Sequence, residues 1–224
     1  MGHEPLRTTE GLSLAYAQRV VSIGGLQWLD YVQAGPRRAM TMVTTQKKTY
    51  LDPGPGAPAY YGPLHAGFRR ALNSVDPAAE LDRVVGRAVA SNLGKAKVYR
   101  QAADGFLRLL PRGATGVKVA ESAWSEAELQ VRMHQMLGVR LLTGEQLLVA
   151  PYCKEPVLDP ESADVLLYLM ESQVKQMLPE ATPVVFDTRR GRRFKLHRRA
   201  NRRQLDACAR GMAVGYVRQW ELAA

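Results

Sequence analysis

LQVRMHQMLGVRLLTGEQLLVA, residues 129–150, is where the apolar period of the chain changes. Before it, helices are read over Thr8 to Gln33, where apolar residues recur at three and four positions, and again between His65 and Leu110. Within it Leu129, Val131 and Met133 alternate with polar residues, and Val139 to Leu142 and Leu147 to Ala150 flank a turn at Thr143-Gly144. The stretch therefore reads as an antiparallel meander. Helices before it and strands after it predict an α+β fold, with a helical N-terminal part and a C-terminal mixed sheet flanked by helices.

Towards the N-terminus, Leu12, Ala15, Tyr16, Val20, Ile23, Leu26 and Leu29 place one amphipathic helix over Thr8 to Gln33, weakened at Gly24-Gly25 and ended by Gly35-Pro36. Met40 to Tyr50 is rich in threonine and holds Met42 and Val43 in a polar frame, so a strand is expected there. Asp52-Pro-Gly-Pro-Gly-Ala-Pro58 and Tyr60-Tyr61-Gly62-Pro63 lack the donors and the stiffness for regular structure, which makes 52–63 the expected linker. Helices then follow over His65 to Val75, from the N-cap Asp76-Pro77 to Asn92, and over Lys95 to Leu110. This divides the chain into 1–51, the linker, a helical region 64–113 and an α+β region 114–224.

Towards the C-terminus, Asp159-Pro160-Glu161 opens a helix with Val165, Leu166, Leu169, Val174 and Met177 on one face. Pro183 to Phe186 is a short apolar strand, and Thr188 to Phe194 fits a tight turn into a neighbouring strand with Gly191 taking a positive φ. Arg202 to Leu222 is the last helix, presenting Leu205, Cys208, Ala209, Met212, Tyr216 and Trp220.

The charge is concentrated. Arg189, Arg190, Arg192, Arg193, Lys195, Arg198, Arg199, Arg202 and Arg203 fall within one stretch that has no acidic residue, in a chain of net charge +10. Like charges packed this closely repel unless solvent or an anion screens them, and each cation that neutralises a phosphate releases a condensed counterion. Arginine's planar fork suits phosphate or guanine better than lysine's point charge. The expected partner is nucleic acid, DNA or RNA; the alternatives are a solvated face and an acidic protein docked in a complex. Phe194, between Arg193 and Lys195, is placed either to stack on a base or to pack into the core.

With 224 residues, 46% of them hydrophobic and 23% charged, the chain is long enough to bury a sizeable core. The start, Met1 to Arg7, lacks the apolar run of a secretory signal, and no stretch approaches a membrane span, so no membrane partner and a cytoplasmic location are expected. Cys153 and Cys208 have no Cys-x-x-Cys partner, and His3, His65, His134 and His197 show no ligand spacing, so neither a metal nor another cofactor is implied. A nucleophilic Cys153 needs a nearby imidazole. There is no phosphate-binding Gly-x-x-x-x-Gly-Lys-Ser/Thr loop, no Gly-x-Ser-x-Gly elbow and no His-Glu-x-x-His.

Three short motifs carry a resemblance. Gly138-Val-Arg-Leu141, Tyr152-Cys-Lys154 and Asp164-Val-Leu-Leu-Tyr168 fall where the RecB-like branch of the PD-(D/E)XK phosphodiesterases has Gly-x-x-Asp, Glu-x-Lys and Gln-x-x-x-Tyr, within the order helix, meander, helix, strand, helix. The glycine, the lysine and the tyrosine match; the carboxylates do not. Such nucleases need two carboxylates on Mg²⁺ to polarise the phosphoryl group and activate water, which leucine and tyrosine cannot do. The resemblance, spanning at most Glu121 to Trp220, thus implies a bacterial nuclease-like core without its catalytic centre, a subunit of a machine for DNA repair, recombination or defence. The alternative is an active Mg-dependent nuclease with carboxylates moved to Glu145, Glu155 and Asp187. Lys154 and Tyr168 also have structural readings, as a solvated strand end and a core residue.

Overall fold

Gln146–Tyr152 is apolar on both faces because it runs through the middle of a sheet covered on both sides. The computed structural model describes residues 20–52 and 60–223 of the chain. Its strands are β1 (Val21–Gly24), β2 (Thr115–Val117), β3 (Ala123–Glu126), β4 (Leu129–Arg132), β5 (Leu137–Arg140), β6 (Gln146–Tyr152), β7 (Thr182–Asp187) and β8 (Arg192–Phe194). Its helices are α1 (Gly25–Val32), α2 (Pro36–Leu51), α3 (Gly62–Ala71), α4 (Pro77–Ser91), α5 (Leu93–Leu109), α6 (Pro160–Met177) and α7 (Arg202–Leu222). The architecture is α+β, with two mixed sheets: β2-β5-β6-β7-β8 and the smaller β1-β4-β3.

Alternation along β6 and β7 divides the core into two. Leu147, Val149, Val184 and Phe186 face α3, α4 and α5, whereas Leu148, Ala150, Tyr152 and Val185 face α1, α6 and α7. β6 and β7 are parallel, joined through α6, with Val149 opposite Val184 and Tyr152 opposite Asp187. Asp159 caps α6 by accepting the Ser162 amide at 2.8 Å, and Pro160 occupies its first position. Asp76 and Pro77 open α4 in the same way.

Three expectations are corrected. Met40 to Tyr50 is helical: Pro36 starts α2, Ala39 and Val43 face the core, and Thr41, Thr44, Thr45 and Thr49 donate their hydroxyls to carbonyls four residues back. Burial of Ala39 and Val43 against the core, with Lys47 donating to the Ala223 carbonyl at 2.6 Å, outweighs threonine's preference for strands, and the hydroxyls find acceptors within the helix. Val21–Gly24 is a strand that pairs in parallel with β4, so the apolar spacing read as one helix belongs to a strand and a helix that meet at Gly24-Gly25. The expected helix's residues 8–19 lie outside the described residues, as do 53–59 of the linker; Gly62-Pro63 already belongs to α3. The meander is split: β4 pairs with β1 and β3 in the small sheet, and only β5 and β6 form the hairpin, turning at Gly144 with φ +87°.

α5 lies directly on the turn between β7 and β8. A Cβ at Gly105 would overlap the Thr188 carbonyl and stand 3.5 Å from the Gly191 nitrogen, so only glycine admits this approach. Gly105→Ala should lower stability by about 3 kcal/mol, because backbone must move, whereas Gly211→Ala on α7, with open space around it, should raise stability by about 0.5–1 kcal/mol. Urea unfolding midpoints of the two variants check both signs.

Candidate functional site

The β7–β8 hairpin and the loop to α7 carry the basic stretch, and the structure sorts its cations. Gly191 makes the turn at φ +61°, as expected from the sequence. Arg189 donates Nε and Nη2 to Gln101 Oε1 on α5 at 3.2 and 2.9 Å. Arg190 turns inward: Nη1 reaches the Lys154 carbonyl at 3.0 Å and the buried Asp187 carboxylate at 3.3 Å, and Nη2 donates to the Glu155 carbonyl. Arg202 forks onto Glu171 of α6 at 3.0 and 3.1 Å and also caps the carbonyls of His197, Arg198 and Ala200. These two arginines are committed to holding the fold.

The others project outward. Arg193 donates to the Leu109 carbonyl at 3.2 Å and lies over the Phe186 ring, yet stays exposed. Arg192, Lys195, Arg198, Arg199 and Arg203 are exposed and have no carboxylate partner among the described residues. Lys195, His197, Arg198 and Arg199 rim a hollow of about 510 Å³ whose floor is the buried Leu196. Phe194 is half-buried and packs against the core beneath α6 and α7. The cations therefore wrap around one edge strand: Arg193 lies on the α5 face and Arg192, opposite Asp187, on the other.

The motifs behind the nuclease resemblance are not brought together. Leu141 sits at the β5–β6 turn, donating its amide to the Glu145 carbonyl at 2.8 Å, whereas Tyr152 and Lys154 lie at the opposite end of β6. Tyr168 projects from α6 and donates to Asp206 Oδ1 at 2.8 Å. The carboxylates considered for a moved centre are also apart: Glu145 is exposed at the turn, Glu155 is exposed beyond β6, and Asp187 is paired with Arg190. Among the described residues, no three His, Cys, Asp or Glu side chains are arranged to hold a metal ion.

At the carboxyl ends of β6 and β7 lies a polar cluster that the sequence did not indicate. Lys154 Nζ pairs with the buried Asp30 of α1 at 2.8 Å and lies over the Tyr61 ring. Gln33 donates to the Tyr152 hydroxyl at 2.7 Å, which donates to the Pro156 carbonyl at 3.0 Å. Burial raises the Asp30 and Asp187 carboxyls, while Lys154 and Arg190 pull them back. Thr188 donates to the Tyr152 carbonyl at 3.0 Å and stands 3.3 Å from the Cys153 sulfur. The imidazole near Cys153 is that of His65, at 3.8 Å. Burial pushes the thiol up to about 12 and pulls the imidazole down to about 4, the wrong direction in both cases for a thiolate–imidazolium pair.

Gln101, Gly105 and Arg108 form a line on α5 against the hairpin, and Glu171 anchors Arg202; neither set was singled out from the sequence. The spacing of 101, 105 and 108 along one helix face, with a glycine in the middle, is a readable sign of close approach. Comparison with protein-family models, with curated proteins and with solved structures finds no match for this chain. Among the described residues, no helix is long and apolar enough to cross a membrane.

Two measurements bear on the cluster. Ellman's reagent should titrate about one thiol in the folded protein, the exposed Cys208, and the buried Cys153 only after denaturation. His65 has a folded value of about 4, below its ordinary 6.5, so the unfolded chain binds the extra proton and stability is lost as pH falls between those values. The loss should reach about 2–3 kcal/mol by pH of about 4.5, and His65→Gln should flatten that part of the profile in urea titrations.

Proposed function

We propose that the protein binds nucleic acid along the edge strand β8 and the loop that follows it, gripping phosphates largely without reading base sequence. The observation that carries this reading is the set of exposed cations without carboxylate partners among the described residues, Arg192, Lys195, Arg198, Arg199 and Arg203, on a segment tied down at both ends. A segment fixed by Arg190 at its start and Arg202 near its end loses little entropy on binding, so its charges are already positioned for a polyanion. Arg193, exposed beside them, adds a further contact. The reading is non-catalytic, because the positions that resemble nuclease carboxylates hold Leu141 and Tyr152. A place in a cytoplasmic DNA repair, recombination or defence assembly is part of this proposal and rests on the short sequence motifs alone, since the fold leaves Leu141 and Tyr152 at opposite ends of β6.

If about five phosphates are neutralised, the logarithm of the association constant should fall against the logarithm of salt concentration with a slope near −4 to −5. Replacing both Arg198 and Arg199 by Gln should make the slope shallower by about 2 while leaving the unfolding midpoint unchanged, since neither guanidinium holds the fold. Fluorescence anisotropy on single- and double-stranded DNA and RNA at several salt concentrations makes the measurement. A flat salt response overturns the reading, and capture of an acidic protein that survives nuclease treatment would replace it with the docking alternative.

A further inference from the structure

Beside the exposed stretch is a second concentration of positive charge, formed by residues far apart in sequence. Arg108 and Gln101 of α5 and Arg189 and Arg190 of the hairpin turn line a hollow of about 380 Å³, with Asp104 as its one acidic wall residue. The guanidiniums are not placed by chance. Gln101 accepts from two nitrogens of Arg189, which fixes the plane of that fork and leaves Nη1 without a hydrogen-bond partner among the described residues. Arg190 is held from behind by Asp187 and two carbonyls. Arg108 lies over Gly191, within 3.3–3.4 Å of where a Cβ would be, so the absence of a side chain at 191 makes its room.

The charges do not cancel locally. Asp187 offsets Arg190, and Asp104 faces Arg100 at 3.8 Å, a cation that Asp82 already engages at 2.5 Å. Arg108 and Arg189 make no ion pair among the described residues. Set against Asp104, Arg108 and Arg189 leave one net positive charge but several open N–H donors, those of Arg108 and of Arg189 Nη1, so the hollow calls for an anion with more than two acceptor oxygens. An internal phosphodiester supplies two free oxygens, whereas a phosphate monoester supplies three, which is what separates the two ligands here.

The geometry points to this hollow as a binding site for a terminal phosphate, the phosphomonoester end of a nucleic-acid strand whose backbone lies along β8 and the 195–203 loop. The inference rests on the nucleic-acid reading above and deepens it from a uniform grip to recognition of a strand end. Arg108 and Arg189 take the phosphate oxygens, and Gln101 is a positioning residue that acts through Arg189.

The test compares oligonucleotides of one sequence carrying phosphate at the 5′ end, phosphate at the 3′ end, or hydroxyls at both, in anisotropy titrations on the full chain. One phosphorylated end should bind about ten-fold more tightly than the hydroxyl form, the scale of one well-made charge-assisted contact. Arg108→Gln, at an exposed position, should abolish that preference and leave binding of the hydroxyl oligonucleotide and its salt slope nearly unchanged. Arg198→Gln should weaken all three oligonucleotides alike. Equal affinity for all three, or a preference that survives Arg108→Gln, overturns the terminal site while leaving the basic-surface reading intact. If no oligonucleotide binds, the nucleic-acid reading fails; inorganic phosphate titrated against the wild type and Arg108→Gln then decides the hollow itself, with equal response overturning it.

Discussion

The contact on which the basic surface depends is backbone against backbone. α5 meets the Thr188 carbonyl at Gly105, and nothing larger than hydrogen fits between them. This approach presses the β7–β8 turn onto the helix, brings Gln101 within reach of Arg189 and places Arg108 over Gly191. Thr188, on which the helix rests, is buried beside the Cys153 sulfur, and burial moves that thiol and the His65 imidazole next to it towards their neutral forms. One missing methyl group thus sets the position of the outer charges.

Arginine has two structural uses in this segment, and both depend on acceptors contributed from elsewhere. Where a carboxylate or several carbonyls converge, as on Arg190 and Arg202, the guanidinium acts as a clasp that joins a turn or loop to the layer beneath it. Where a neutral amide meets it, as Gln101 meets Arg189, the side chain is oriented without its charge being cancelled. Neutral orientation preserves the field outside the protein, whereas ion pairing removes it.

Much of the fold was legible because it is written locally. Asp76-Pro77 and Asp159-Pro160 mark helix starts by capping and a fixed φ, and Gly191 marks a turn that needs a positive φ; all three stand where the sequence places them. Errors arose where a distant partner decides. The threonines of α2 look strand-like until Ala39 and Val43 are given a core to face, and Val21–Gly24 becomes a strand only because β4, more than a hundred residues on, offers its edge. The same holds for the site. The arginine-rich run is visible in the sequence, but which of its members remain free depends on Gln101, Glu171 and Asp187, and no local pattern names those partners.

β8 is three residues long and ends the larger sheet, and among the described residues no neighbouring strand pairs with its outer backbone groups. An open edge of this kind can recruit a strand from another molecule, and bulky cations along it are the usual deterrent. Arg192, Arg193 and Lys195 therefore stand as guards against self-association on the edge that the proposed binding surface shares. Guarding and the proposed binding oppose each other: a polyanion that quenched these charges would also remove the repulsion between copies, and so lower the barrier to lateral aggregation of the chains that share it.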